Sequence, residues 1–205
     1  MTTPASFDLR GRVAIVTGGN GGIGRGIAIG FAHAGAAVAI LGRNGDKNAR
    51  TLAELKDAGV RAVAVQVDLT DRAALEPAVR SVEAELGPVD ILVNNAGIVS
   101  LSGGILQETP ESWDEVIETQ LNSVFLLSKL VGASMAQRRQ GKIINIGSMY
   151  SYFGSGLIPS YSAAKGAIVQ LTKSMAIELA PHGIQVNDIK AIYFNSLPVT
   201  LHSLV

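Results

Sequence analysis

Cysteine is missing from this chain of 205 residues. That excludes a disulfide framework, thiolate metal sites and a cysteine nucleophile, and it suits a cytoplasmic protein. An excess of one charge is missing too, because 17 Lys and Arg face 17 Asp and Glu and the sequence pI is 6.8. Nucleic-acid binding calls for clustered cations that displace counterions, and no basic run exceeds Arg138-Arg139, so no nucleic-acid partner is expected. No segment approaches the long uncharged stretch of a membrane span, and Met1 to Leu9 lacks the basic flank and apolar run of a signal peptide. The chain therefore reads as soluble and unexported, with no membrane partner. Histidine is scarce: positions 33, 182 and 202 have neither triad nor metal-ligand spacing, which speaks against a serine hydrolase or zinc enzyme and leaves no metal site expected.

Apolar residues are plentiful, at 47% of the chain against 17% charged, with a mean hydropathy of +0.30. That is too apolar for a disordered chain and enough for a sizeable core. No repeat, low-complexity tract or Pro-rich linker divides it, so one domain over residues 1–205 is expected. Three early runs, Val13 to Val16, Ala37 to Leu41 and Ala62 to Val67, are short and aliphatic, as in strands buried on both faces. Each precedes a stretch of helical period: Gly24 to Ala34, Asp46 to Ala58 and Arg72 to Leu86. The alternation continues with Ile91 to Val93, one helix from Glu111 to Arg138, Lys142 to Ile146, a helix from Tyr161 to Leu179, and a last strand at Ile184 to Ile189. Strand and helix alternating in this way predict an α/β fold, a doubly wound parallel sheet in a three-layer sandwich. Ligands of such sheets bind beyond the carboxyl ends of the strands, so the residues just after each apolar run are the informative ones.

After the first run comes Thr17-Gly18-Gly19-Asn20-Gly21-Gly22-Ile23-Gly24, leading into a helix. Glycine lets backbone amides approach a phosphate, and the helix N-terminus favours its charge. Strand before and helix after point to dinucleotide binding, and no Gly-Lys-Ser/Thr follows as a P-loop would need. The loop resembles the short-chain dehydrogenase/reductase motif Thr-Gly-x-x-x-Gly-x-Gly, met by Thr17, Gly18, Gly22 and Gly24. Gly19, Gly21 and Gly24 also fit the commoner Gly-x-Gly-x-x-Gly, so the glycines alone leave both open. Asp68 and Asn94-Asn95-Ala96-Gly97 follow in the family's order. The resemblance places Asp68 at the adenine and the Asn-Asn-Ala-Gly segment under the cofactor cleft, within a Rossmann-type fold. Gly18, Asn20, Gly22, Ile23, Gly24, Arg43, Asp68, Leu69, Asn95, Ala96, Gly97, Tyr161 and Lys165 are the expected cofactor contacts.

An acid at the end of the second strand would accept hydrogen bonds from a ribose 2′-hydroxyl and repel a 2′-phosphate. This chain has Gly42 there and Arg43 next, so NADP is the expected cofactor, with NAD the alternative. Gly21 occupies a loop position that is often basic in NADP-preferring relatives.

Tyr161 and Lys165, four residues apart, share one helical face. An ammonium near a phenol favours phenolate and brings its pKa toward neutrality, so Tyr161 can exchange a proton with a substrate oxygen. Ser148, just past the strand ending at Ile146, can hydrogen-bond that oxygen, whereas Ser151, Ser155 and Ser160 read as loop hydrogen-bonders. Asp90 and Trp113 read as structural. The set is similar to the family's active site, with Asn122 as its fourth member. The resemblance implies that Lys165 binds the nicotinamide ribose and that Asn122 supports a water relaying protons to Lys165. It implies an oxidoreductase moving a hydride between NADP(H) or NAD(H) and a small secondary alcohol or ketone. The similarity is greatest to the sugar-acid and polyol branch, and nearly as great to 3-oxoacyl reductases. Family members pair through helices matching Leu121 to Arg138 and Tyr161 to Leu179, so a homodimer or homotetramer is expected. Where the family commonly has Pro-Gly, this chain reads Lys190-Ala191-Ile192-Tyr193-Phe194-Asn195-Ser196, and it stops at Val205. A truncated or divergent C-terminal part is thus expected. It motivates a second reading, a catalytically impaired dinucleotide-binding or interaction module without the substrate lid.

Overall fold

A computed structural model describes residues 7–191. Of the departure expected from Lys190 onward, Lys190 and Ala191 end the last strand, and residues 192–205 lie outside the described residues. Within them, β1 (Val13–Thr17), α1 (Gly22–His33), β2 (Ala37–Gly42), α2 (Gly45–Asp57), β3 (Ala62–Gln66) and α3 (Arg72–Leu86) form one half. The other half is β4 (Ile91–Asn94), α4 (Pro110–Ile117), α5 (Ser123–Arg138), β5 (Gly141–Ser148), α6 (Pro159–Leu179) and β6 (Ile184–Ala191). The six strands lie in the order β3-β2-β1-β4-β5-β6, every neighbouring pair parallel. The doubly wound sheet read from the sequence is the fold that forms. Strand order reverses between β1 and β4, which opens a crevice at their carboxyl ends.

Alternation along β1 shows why the strands are apolar throughout. Val13 and Ile15 join one buried cluster with Leu75, Val79 and Val82 of α3 and Leu127, Val131 and Met135 of α5. Ala14 and Val16 join a second, with Ala28 and Ala32 of α1 and Leu55 of α2. Successive side chains point to opposite faces, and both faces are covered.

The helix expected as one piece from Glu111 to Arg138 is interrupted by a π turn, Glu118–Asn122. Its hydrogen bond runs from Ser123 N–H to the Glu118 carbonyl, five residues back, and the Ser123 hydroxyl donates to the Thr119 carbonyl at 2.6 Å. The widened turn changes which side chains between α4 and α5 face the cleft.

Asp90 closes the amino end of the sheet, the end opposite the crevice. The residue is 8% exposed, and its carboxylate accepts from Val13 N–H at 3.0 Å, Arg138 Nη1 at 3.1 Å and Gln140 Nε2 at 3.1 Å. Asp90→Ala would strand a strand amide and a half-buried guanidinium, so it should cost roughly 2–4 kcal/mol. The check is a lower urea midpoint at unchanged slope. A loss below about 0.5 kcal/mol, the size of an ordinary surface substitution, would show that this carboxylate does not hold the sheet end.

Candidate active site

The glycine loop turns back on itself where β1 enters α1. Gly18 and Gly22 have φ of +63° and +49°, values that L side chains rarely adopt. A β-carbon on Gly24 would lie 2.3 Å from the Gly18 carbonyl oxygen and 2.3 Å from Asn95 Nδ2, so only glycine lets α1 start this close to the strand ends. The first turn of α1 carries no acidic residue, and Gly21, its N-cap, supplies no side-chain hydrogen bond. The helix therefore offers its first amides to an outside anion. Across the crevice the Thr17 hydroxyl accepts from the backbone amides of Asn95 at 2.9 Å and Ala96 at 3.0 Å. Asn95 Nδ2 returns a bond to the Thr17 carbonyl at 2.8 Å.

A second cluster sits at the ends of β2 and β3. Asn48 Nδ2 donates to the Gly42 carbonyl at 2.9 Å, and Asn20 Nδ2 donates to Asn48 Oδ1 at 2.6 Å. A β-carbon on Gly42 would come within 2.4 Å of Asn20 Nδ2, so an acid there would displace this amide pair. Arg43 projects beyond it, 3.8 Å from Asp68 Oδ2. The Asp68 carboxyl is held below the usual carboxylate range, first by the Thr70 backbone amide and less by Arg43. Lys47 of α2 lines the same end of the cleft. Sequence reasoning missed it, although the pattern Arg43-Asn44-x-x-Lys47, with Asn44 capping α2 through Lys47 N–H at 2.9 Å, places the two cations one turn apart.

The remaining groups lie at the carboxyl end of β5. Ser148 is 5% exposed; its hydroxyl accepts from Tyr150 N–H at 3.3 Å. Lys165 Nζ lies 5.6 Å from the Tyr161 ring centre and donates to the Ile146 carbonyl at 2.6 Å. Tyr150 stacks edge-on against Tyr161 at 6.1 Å. Ser151 and Ser155 are loop hydrogen-bonders, to the amides of Ser148 and Leu157. Ser160, read as another, is instead fully buried in the first turn of α6.

One cleft of about 860 Å³ collects these residues. Gly18, Asn20, Gly22, Ile23, Gly24, Arg43, Asp68, Leu69, Asn95, Ala96, Gly97, Ser148, Tyr161 and Lys165 all line it. Asn122 does not. Its amide donates to Glu118 Oε2 at 2.6 Å, and Arg72 clamps that same carboxylate from α3 at 2.5 Å. The π turn presents Thr119 and Gln120 to the cleft instead. Gln120 is 1% exposed and donates to the Ile98 carbonyl at 2.6 Å. Its Oε1 and the Thr119 hydroxyl are buried without a hydrogen-bond partner among the described residues. A buried acceptor in a cleft wall fits a polar ligand or an ordered water. The glycine cradle, the bare helix start and these orphan oxygens fit a dinucleotide lying across the crevice. Among the described residues no group of three or more His, Asp and Glu could hold a metal ion.

Lys165 is 5% exposed, and burial pushes its pKa down to about 8 from 10.5. Between those values the unfolded chain binds more protons than the folded one. The stability tied to this group is therefore complete above about 10.5 and is lost as pH falls through about 8. Relative to Lys165→Met, the cofactor-free wild type should gain roughly 2–3 kcal/mol between neutral pH and the upper end of that window. Paired denaturant titrations across this range check it, and a pH-independent difference would contradict a buried, titrating amine.

The short chain dehydrogenase family model matches residues 12–198. Among curated proteins, the chain is 40% identical over 189 residues to the 2-dehydro-3-deoxy-D-gluconate 5-dehydrogenase of Formosa agariphila, covering 92% of this chain and 71% of that protein. It is 39% identical over 191 residues to the 5-keto-D-gluconate 5-reductase of Escherichia coli strain K12, covering 93% and 74%. Among solved structures, a gluconate 5-dehydrogenase from Burkholderia cenocepacia in complex with NADP and tartrate superposes with a TM-score of 0.87 at 38% identity, over 93% of this chain and 74% of that one. With the parallel sheet, the glycine cradle and Tyr161 four residues before Lys165 in a single cleft, these matches make the chain a member of the short-chain dehydrogenase/reductase family of NAD(P)-dependent oxidoreductases.

Proposed function

We propose that this chain interconverts the ketone and secondary-alcohol forms of a sugar acid with NADP(H), using Tyr161 as acid and base. The observation that carries the reading is the buried cation of Lys165 against Tyr161, at the strand end that also bears Ser148 and in the same cleft as the glycine loop. The sugar-acid class is supported by the names of the relatives, which act on keto and deoxy forms of gluconate.

In this reading the first amides of α1 hold the pyrophosphate, Asp68 and Leu69 flank the adenine, and Asn95 to Gly97 form the cleft floor. When bound, the nicotinamide supplies or takes up the hydride at the substrate carbon. The chain's own residues manage the proton and the charge on the substrate oxygen. Ser148 donates a hydrogen bond to that oxygen, Tyr161 delivers or removes its proton, and Lys165 keeps a positive charge beside the phenol. The water-supporting place belongs to Gln120 rather than Asn122, because Gln120 lines the cleft and keeps one oxygen unpaired among the described residues.

Arg43 and Lys47 would recognise a 2′-phosphate as two cations, and an acid at Gly42, which would prefer its absence, would have to displace the Asn20–Asn48 amide pair. The bound NADP of the Burkholderia neighbour supports the same preference. The chain would work in the cytoplasm, as a single domain and as a homodimer or homotetramer. Exposed Phe125 on α5 and Ile177 on α6 support pairing through those helices.

Tyr161→Phe should lower kcat by at least about 10³-fold with NADPH affinity changed less than about threefold, as expected for a group acting only in proton transfer. Turnover of 5-ketogluconate and fluorescence titration of NADPH check it, and turnover equal to wild type would remove Tyr161 from the chemistry. Arg43→Leu and Lys47→Met should each weaken NADPH binding by roughly 5–50-fold while leaving NADH within about twofold, the size of one charge-assisted contact. Calorimetric titration of both cofactors decides it; equal losses for the two would refute 2′-phosphate recognition.

A further inference from the structure

The helix that carries Tyr161 does not cap itself. At the start of α6, Ile158 in the N-cap position supplies no side-chain hydrogen bond, and Pro159 has no N–H to give. The first amide that needs a partner is that of Ser160, directly before Tyr161. It donates to Glu108 Oε2 at 3.1 Å, while the Ser160 hydroxyl donates to Glu108 Oε1. Both carboxylate oxygens are thus spent on one residue, 52 positions away in the chain. Ser160 is fully buried, so water cannot replace the contact, and an anion at this point also complements the positive end of the helix.

Glu108 belongs to the segment between β4 and α4, whose start forms the cleft wall at Gly97, Ile98 and Val99. The same segment touches the approach to α6 a second time. Gly104 sits at a φ of +119°, and a β-carbon there would lie 2.7 Å from the Gly156 carbonyl oxygen. The next residue, Thr109, caps α4 by accepting from Ser112 N–H at 3.2 Å. Glu108 is therefore fixed by its own neighbours and is not a freely moving surface acid.

The two functional groups of α6 are tied down separately. Lys165 lies one turn further on and is anchored to β5 through the Ile146 carbonyl. Tyr161 stands in the first turn, where helices fray unless their amides are bonded. We propose that Glu108 is a positioning residue for proton transfer: it caps α6 from the segment that follows β4 and so fixes the place of Tyr161 relative to Lys165 and Ser148. This rests on the reading of Tyr161 as the acid and base. Releasing the cap moves Tyr161 without moving Lys165 or the glycine loop, and a displacement of about 1 Å is enough to cost about 10²-fold in rate.

The test compares full-length Glu108→Ala, Glu108→Gln, Ser160→Ala and the double variant Glu108→Ala with Ser160→Ala. The readouts are kcat for 5-ketogluconate and the Kd of NADPH. Glu108→Ala should lower kcat by about 10–100-fold with NADPH affinity within about twofold. Glu108→Gln, which keeps one acceptor, should fall between it and wild type, and Ser160→Ala should lose about threefold. The double variant should be no worse than Glu108→Ala, since both changes remove one contact. A kcat for Glu108→Ala within twofold of wild type, or effects that multiply in the double variant, would overturn the proposal. If Glu108→Ala does not fold, Glu108→Gln and Ser160→Ala carry the same comparison, and wild-type kcat in both would overturn it. Wild-type protein that binds NADPH but turns over no ketone would overturn the reductase reading and this proposal together; an active wild type with an unaffected Glu108→Ala overturns this proposal alone.

Discussion

The Thr17 hydroxyl, a single group at the end of β1, holds open the crevice on which the site depends. It donates to the Val93 carbonyl at 3.3 Å and accepts two amides from the start of the segment after β4. Parallel strands diverge where their order reverses, and their last backbone groups would otherwise need water. Thr17 and Asn95 satisfy these groups within the protein, so the two strand ends stay at a fixed separation while the chain leaves them in opposite directions. Gly18 and Gly24 can approach only because that separation is fixed. Their contacts with Asn95 are as close as a glycine permits, so cradle and crevice are one packing unit.

Beneath the reacting end lies a buried polar chain that the core must accommodate. Asn94 Nδ2 donates to Asn145 Oδ1 at 2.9 Å and to Ser128 Oγ at 3.1 Å, and Asn145 Nδ2 donates to Thr172 Oγ1 at 2.8 Å. It links β4 and β5 to α5 and α6, and β5 and α6 carry Ser148, Tyr161 and Lys165. Hydrogen bonds of this kind restrict how helices can slide over a sheet, because a shift would leave further buried polar groups unpaired. The buried Lys165 works against stability, by roughly 3 kcal/mol if its whole pKa shift is counted. A fold stabilised by two complete apolar clusters can retain such a group where chemistry needs it.

Much of this was legible in the sequence. Strands buried on both faces must be aliphatic throughout, so Val13 to Val16 and Ala37 to Leu41 declare themselves, and Gly18, Tyr161 and Lys165 are bound to fixed spacings. The π turn was not legible, since composition does not record whether an amide bonds four or five residues back. Asn122 was matched to the family's fourth active-site position by resemblance, and within the π turn it is Gln120 that lines the cleft, while Asn122 is committed to Glu118. Lys47 was readable as a cation one turn beyond Arg43, but its relevance depends on where α2 begins. Glu108 had no local signal, because its partner Ser160 is distant in sequence and meets it only through the path of the chain after β4.

The two ends of the cleft differ in how firmly they are built. At the Arg43 end the cation is 55% exposed and its acidic partner 45% exposed, so water and salt screen their interaction and a substitution there disturbs little else. At the Lys165 end Ser148, Ser160 and Lys165 are buried, with Lys165 tied to a main-chain carbonyl and Ser160 to Glu108 at a helix start. In the proposed reading, cofactor preference is set where changes are structurally cheap, and proton transfer where a small displacement propagates through several fixed contacts. In the sheet, β3 is the edge strand beside the Arg43 end, whereas β5 lies between β4 and β6 and packs against α6. In the proposed reading a substitution at Arg43 leaves the geometry around Tyr161 in place, whereas a change at Ser160 reaches Tyr161 through the start of α6.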